Sequence, residues 1–93
     1  MTTHLLRLYI AGRTPAANRA LENLERLAVE VATPDLVIQV EVIDILQRPQ
    51  LAEDERILAT PVVIKKLPLP MRRVVGDLSE REKVLVGLDL RVD

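Results

Sequence analysis

The first half of the chain places a buried strand, a capped helix and an alternating strand in succession, and this order constrains the fold most. Residues 5–11 are a nearly continuous apolar run that ends at Gly12, which is typical of a strand covered on both faces. Thr14 and Pro15 follow. They predict the N-cap and first position of a helix, because the missing N–H of proline costs nothing at that position.

The predicted helix has one apolar stripe, and an alternating strand follows it. Apolar residues recur at steps of three and four, namely Leu21, Leu24, Ala28 and Val31. A helix with this spacing packs one face on a sheet, and Pro34 disfavours its continuation. Residues 36–45 alternate and are rich in β-branched side chains, as in a strand. The order β-α-β predicts two parallel strands joined by a right-handed crossover.

The second half of the chain is compatible with a helix, a β-hairpin and a final helix. Residues 49–58 suit a short helix, while residues 62–67 and 71–75 have strand composition on either side of a Pro-Leu-Pro corner. Residues 79–82 spell an S-x-x-E capping box for a last helix that runs through Leu88. The resulting order, β-α-β-α-β-β-α, is that of a thioredoxin-like α/β fold. In that fold Pro61, at the start of the third strand, is a candidate cis-proline.

A second interpretation of the same segment stays open. Residues 56–66 and 71–77 lack glycine and proline except at Pro61 and Gly76, so either stretch can be partly helical. Residues 84–90 read VLVGLDL, and their alternation also suits an edge strand. Intrinsic propensities differ by less than about 1 kcal/mol per residue, so packing has to decide.

Length and composition predict a single domain with an aliphatic core over residues 1–93. The chain is 48% hydrophobic but has one Tyr and neither Phe nor Trp. Its 13 basic and 14 acidic residues give a net charge of −1, which disfavours nucleic-acid binding and attraction to anionic membranes. No long apolar run or signal-peptide pattern is present. We therefore expect a cytoplasmic protein without nucleic-acid or membrane partners.

The residues offer no constellation for catalysis, and we expect neither enzyme activity nor a cofactor or metal. The chain has no cysteine, so thiol exchange at the Pro61 region is excluded. His4 is the only histidine and is expected at a frayed terminus. The acidic run at 53–55 is expected to be a solvated helix face. The pair Arg72 and Arg73 is expected at a subunit or partner interface.

Seven stretches in conserved order resemble the KaiB family of circadian clock proteins. They are LYIAG (8–12), RAL (19–21), VID (42–44), PQLAE (49–53), ILATP (57–61), LPLP (67–70) and GDLSEREKVLVGLDL (76–90). The resemblance covers about residues 5–90. The chain lacks the acidic C-terminal tail common in cyanobacterial members, and it is identified as a divergent member.

The resemblance implies a protein with two folds. The family's ground state, with the order β-α-β-β-α-α-β, forms dimers and tetramers, and we expect this state in a crystal of the unmutated protein. The rarer state is a thioredoxin-like monomer. Residues 5–45 are the implied fixed half and residues 46–93 the switching half. Gly87 and Asp89 match positions whose replacement favours the thioredoxin-like state.

The resemblance also implies the binding partners. The thioredoxin-like state of the family binds the ring ATPase KaiC, and the matching residues here are Arg19, Leu46, Pro49, Gln50 and Arg56. It also captures KaiA on the second strand and competes with the histidine kinase SasA. Gln39 and Glu41 replace the residues usual on that strand, so a KaiA-type contact is doubtful here.

Two functional hypotheses follow from the sequence. The first is a non-enzymatic timing regulator that switches fold to bind a KaiC-like ATPase ring and modulate its phosphorylation cycle. The second is a KaiB-like adaptor that keeps the thioredoxin-like fold and acts in stress or histidine-kinase signalling without a clock.

Overall fold

A computed structural model describes residues 2–90 as one four-stranded sheet with helices on both faces. The elements are β1 (Thr2–Ile10), α1 (Pro15–Val31), β2 (Leu36–Asp44), α2 (Pro49–Asp54), β3 (Val62–Leu67), β4 (Arg72–Val75) and α3 (Arg81–Gly87). This order, β-α-β-α-β-β-α, confirms the thioredoxin-like interpretation of the sequence. It differs from the β-α-β-β-α-α-β order that we expected in a crystal of the unmutated chain.

The first half has the elements that the sequence predicted. The Thr14 hydroxyl oxygen accepts a hydrogen bond from the Ala17 N–H at 3.1 Å and caps α1, with Pro15 in the first turn. Strands β1 and β2 are parallel in continuous register from the pair Thr2 and Leu36 to the pair Ile10 and Asp44. The apolar run of β1 is buried because β1 is a central strand.

The sheet has the strand order β2-β1-β3-β4, with β3 antiparallel to both β1 and β4. Alternate residues of the strands face two separate hydrophobic clusters. The larger cluster lies under α1 and α3 and includes Leu6, Leu8, Leu24, Val63 and Leu88. The smaller lies under α2 and includes Tyr9, Val62, Ile64, Leu51 and Ile57. Helices α1 and α3 therefore share one face of the sheet, and α2 covers part of the other.

Burial explains why residues 84–90 form a helix and its terminus rather than an edge strand. Val84, Leu85 and Leu88 are buried against the sheet, whereas Val86 is 60% exposed. This spacing fits a helix, since a strand would place Val84, Val86 and Leu88 on one side. Burying an aliphatic side chain stabilises by about 1.5–3 kcal/mol, which exceeds the difference in intrinsic propensity.

The start of α3 differs from the predicted capping box. Helix α3 begins at Arg81, and Glu80 occupies the N-cap position without a side-chain hydrogen bond. The Ser79 N–H instead donates to the Asp77 carboxylate at 3.1 Å. The capping-box prediction was wrong because Asp77 competes for the backbone at this turn.

Candidate partner-binding surface

Helix α2 and the turns on either side of it carry most of the residues implied for partner binding. Pro49 and Gln50 open the helix, and the Gln50 side-chain amide donates to the Asp54 carboxylate at 3.0 Å. Arg56 follows the C-cap residue Glu55 and is exposed. Leu46 lies in the turn before the helix and is 69% exposed. These four residues therefore belong to one continuous segment at the surface.

The turn that presents Leu46 is organised by Asp44, for which the sequence patterns predict no role. One Asp44 carboxylate oxygen accepts hydrogen bonds from the Gly12 N–H at 3.2 Å and the Leu46 N–H at 2.9 Å. The Asp44 carbonyl accepts from the N–H groups of Gln47 and Arg48. An aspartate at the end of a strand and before a turn was the available sequence signal.

The end of α2 is fixed to the sheet by Glu55. Its carboxylate forms an ion pair with Lys66 of β3, and both side chains are 19% exposed. The Glu55 carbonyl accepts from the Arg73 guanidinium of β4 at 3.1 Å. The acidic run is therefore not a wholly solvated face as expected, because Glu55 neutralises a half-buried lysine. Arg73 contacts the protein's own backbone in this fold.

An open apolar depression of about 430 Å³ lies beside the end of α2. It is lined by Ala52, Glu53, Arg56, Ile57 and Leu58. The Leu58 side chain is 96% exposed. An exposed aliphatic side chain next to a charged rim resembles the centre of a protein interface more than the mouth of a catalytic cleft.

Arg19 is separated from this segment. It lies on α1, on the opposite face of the sheet, and its guanidinium forms an ion pair with Asp77 at 3.3 Å. Asn23, one turn further along α1, donates to the Asp77 carbonyl at 2.9 Å. Hydrogen bonds from Ser79 and the ion pair with Arg19 lower the pKa of Asp77. The structure therefore does not place Arg19 beside α2, and in this fold its guanidinium contacts the β4–α3 connection at Asp77.

The implied second-partner residues lie on the sheet edge formed by β2. Gln39 is exposed. Glu41 is engaged within the sheet, since its carboxylate accepts from Arg7 of β1 through Nε and Nη2, both at 3.1 Å. Gln39 can therefore contact a partner directly, whereas Glu41 would first have to break its ion pair with Arg7.

Gly87 and Asp89 lie at the end of α3, where the backbone is closely packed. A Cβ added to Gly87 would lie 2.6 Å from Val74 Cγ2 of β4. Asp89 has φ of +56°, in the left-handed region. The Thr60–Pro61 peptide bond is cis.

His4 and Lys65 lie in the sheet close to Asp89 at this end of α3. Lys65 is 2% exposed, and His4 Nδ1 is buried with no hydrogen-bond partner among residues 2–90. Burial of the ring and repulsion by Lys65 lower the pKa of His4, although Asp89 opposes the shift. His4 is thus part of the sheet and not the frayed terminal residue that we expected.

Within the described part of the chain, no group of His, Cys, Asp or Glu could hold a metal ion. No helix among residues 2–90 is long and apolar enough to span a membrane.

Solved structures with this architecture include thioredoxins. Chloroplastic thioredoxin z aligns with a TM-score of 0.70 and 20% identity over 97% of this chain and 81% of that one. The N-terminal domain of SasA from Synechococcus elongatus aligns with a TM-score of 0.78 and 22% identity, covering 100% and 90%. At these identities the likeness establishes a thioredoxin-like fold.

The sequence defines the family within that fold class. The KaiB domain matches residues 7–90. The circadian clock oscillator protein KaiB of Synechococcus elongatus is 56% identical over 88 residues, which cover 95% of this chain and 84% of that protein. The KaiB protein of Prochlorococcus marinus subsp. pastoris is 52% identical over 91 residues, covering 98% and 83%. The chain belongs to the KaiB family, as the resemblance indicated.

Proposed function

We propose that this protein is a non-enzymatic clock regulator that binds a KaiC-like ATPase ring through α2 and its flanking turns. The relatives include circadian clock oscillator proteins that are 56% identical over 95% of the chain. We infer the binding site from the exposure of Leu46 and Leu58, which are 69% and 96% exposed on either side of α2. Leu46, Pro49, Gln50 and Arg56 supply the contacts, whereas Arg19, which the resemblance also implies, lies on the opposite face of the sheet and outside this surface.

The proposed mechanism uses two folds of one chain. Residues 5–45 keep their structure, residues 46–93 change, and the thioredoxin-like form is the one that binds. If that form makes up about 1% of the free protein, the apparent affinity for the ring falls about a hundredfold, or roughly 2.7 kcal/mol. Slow exchange between folds then delays binding. Assembly of the other fold into a dimer or tetramer lowers the apparent affinity for the ring further at high protein concentration.

Gly87 and Asp89 are the proposed control points of the switch. Gly87→Ala combined with Asp89→Arg is expected to convert a dimer or tetramer to a monomer, as measured by analytical ultracentrifugation. A wild-type protein that is monomeric at every concentration, with one set of amide NMR signals, would contradict the two-fold mechanism.

Binding is tested by mixing the chain with a KaiC-like ring and ATP and following complex formation by size-exclusion chromatography for a day. Leu58→Asp should abolish the complex because it places a charge in the apolar depression. The matched control is Val29→Asp, since Val29 is 78% exposed on α1 and lies away from α2. Absence of any wild-type complex, or equal loss in both variants, would refute the proposed site.

A KaiB-like adaptor that stays in the thioredoxin-like fold is the second candidate. The alignment with the SasA N-terminal domain favours it, because that domain has the same fold over the whole length of this chain. A SasA-like kinase is then a competitor for the same ring surface. KaiA capture is doubtful, since Glu41 on the β2 edge is already paired with Arg7. The NMR experiment separates the candidates, because only the clock mechanism requires two folds.

A further inference from the structure

The turn at residues 45–48 is tied to the end of β1 through one carboxylate oxygen of Asp44. This oxygen accepts hydrogen bonds from the Gly12 N–H at 3.2 Å and from the Leu46 N–H at 2.9 Å. We propose that Asp44 is a positioning residue for ring binding, which holds the exposed Leu46 side chain in place for the partner without contacting the partner itself. This inference rests on the proposed ring-binding function and adds a residue to it.

The side chain of Asp44 fixes Leu46, whereas its backbone fixes the rest of the turn. The Asp44 carbonyl accepts from the N–H groups of Gln47 and Arg48, both at 3.0 Å. These two bonds do not depend on the side chain. The Leu46 N–H donates to the carboxylate instead. Truncation of Asp44 to alanine therefore keeps the backbone hydrogen bonds of the turn and frees Leu46.

Gly12 supports Leu46 from the side of the sheet. Its φ of +77° lies in the left-handed region, which favours glycine. A Cβ at this position would lie 3.5 Å from Leu46 Cδ1, so the Leu46 side chain lies next to the glycine backbone. Strand β1 ends two residues earlier at Ile10, which is 1% exposed. The carboxylate thus joins Leu46 to a donor that follows a buried strand.

Such support matters because Leu46 is 69% exposed and has few contacts of its own to hold it. A residue in a loose turn has to be ordered when a partner binds, and an ordered turn has met this cost beforehand. We therefore expect Asp44→Ala to weaken ring binding about five- to thirtyfold, which corresponds to about 1–2 kcal/mol for ordering the backbone of one residue.

The test compares the ring affinities of Asp44→Ala and Asp44→Asn, measured with a KaiC-like ring and ATP by fluorescence anisotropy of a labelled chain. Asparagine should stay within about threefold of the parent, because its side-chain oxygen can accept the same two hydrogen bonds. In a Leu46→Ala background, Asp44→Ala should have no further effect, since Asp44 acts through Leu46. All proteins also carry Asp89→Arg, which is expected to favour the thioredoxin-like fold, and NMR spectra check that fold.

Asp77→Ala is the matched control. The Asp77 carboxylate also accepts from a turn N–H, that of Ser79 at 3.1 Å, but this turn contacts α1 on the opposite face of the sheet. Asp77→Ala should therefore leave the ring affinity unchanged. Equal weakening by Asp77→Ala and Asp44→Ala would overturn the inference, because it would show a general loss of structure.

The remaining outcomes separate this inference from the proposed function. If Asp44→Asn weakens binding as much as Asp44→Ala, the carboxylate charge itself contacts the partner, and the positioning role is wrong. The same holds if Asp44→Ala has its full effect in the Leu46→Ala background. Unchanged affinity of Asp44→Ala, while Leu58→Asp abolishes the complex, overturns the inference and leaves the proposed function intact. Absence of any complex with the parent protein refutes the proposed function and the inference together.

Discussion

The contact between Gly87 and Val74 gives a quantitative prediction for the end of α3. An alanine Cβ at position 87 would lie 2.6 Å from Val74 Cγ2, about 1 Å inside the optimal separation of two carbon atoms. Valine cannot rotate freely out of the way because its χ1 is stiff. We expect the overlap to cost about 1–3 kcal/mol in the thioredoxin-like fold, against a gain of up to about 1 kcal/mol from replacing glycine in a helix. The population shift proposed for Gly87→Ala with Asp89→Arg therefore requires that the pair destabilise the other fold by more.

The overlap is measurable as a coupling free energy in a double-mutant cycle. Val74→Ala removes the two methyl groups, so Gly87→Ala should be more favourable in that background by about 1–2 kcal/mol. Urea unfolding of the four proteins, at a concentration where all are monomeric, gives the free energies of unfolding. All four proteins also carry Asp89→Arg, which is expected to favour the thioredoxin-like fold, and NMR spectra check that each starts from that fold.

The matched control for the cycle is Val75→Ala. Val75 is the next residue of β4, it is 58% exposed, and its side chain points to the other face of the sheet. Gly87→Ala and Val75→Ala should be additive. Additivity of Gly87→Ala with Val74→Ala would refute the reasoning, because it would mean that α3 shifts away from β4 without cost.

Three further predictions concern charged groups. Lys66→Ala should lower the free energy of unfolding, measured in urea titrations, by about 1–2 kcal/mol, because Glu55 then lacks its partner in a half-buried site. The double variant Lys66→Ala, Glu55→Ala should recover part of this loss. The lowered pKa of His4 means that the unfolded chain binds a proton more readily than the folded chain, so the free energy of unfolding should fall as the pH drops below about 6.5. His4→Leu should remove this fall. A variant with the same pH profile as the wild type would contradict the assignment to His4. The lowered pKa of Asp77 gives the folded state a stability that is present above about pH 3.9 and lost as the pH falls through the folded-state pKa. Asp77→Asn should therefore make the acid-unfolding transition, followed by circular dichroism, less steep. An equally steep transition in the variant would rule out the contribution of Asp77.

Local sequence signals were sufficient to predict a helix or strand where the sequence contained an N-cap residue, a periodic apolar stripe or a proline boundary. Thr14 caps α1 as predicted, and β3 spans Val62–Leu67, the residues expected from composition. These features depend on neighbours within four residues, so a short stretch of sequence already contains all the interacting groups.

The candidate surface depended on distant contacts that no local pattern encodes. The acidic run predicted a solvated face, but Glu55 pairs with Lys66, 11 residues away. Asp77 holds α1 through Arg19 and Asn23, which are 58 and 54 residues distant. Such pairs form only once the sheet brings the elements together, and so Asp44 and Asp77 were missed as organising residues.

The amino-acid sequence alone was sufficient to predict the β-α-β half, the aliphatic core and the membership of the KaiB family. Tertiary structure decided the state of residues 84–90, which local preference left between helix and strand. The physical reason is one of magnitude, since propensities differ by less than about 1 kcal/mol per residue while each buried aliphatic side chain contributes about 1.5–3 kcal/mol. Burial of Val84, Leu85 and Leu88 against the sheet therefore selects the helix in this fold.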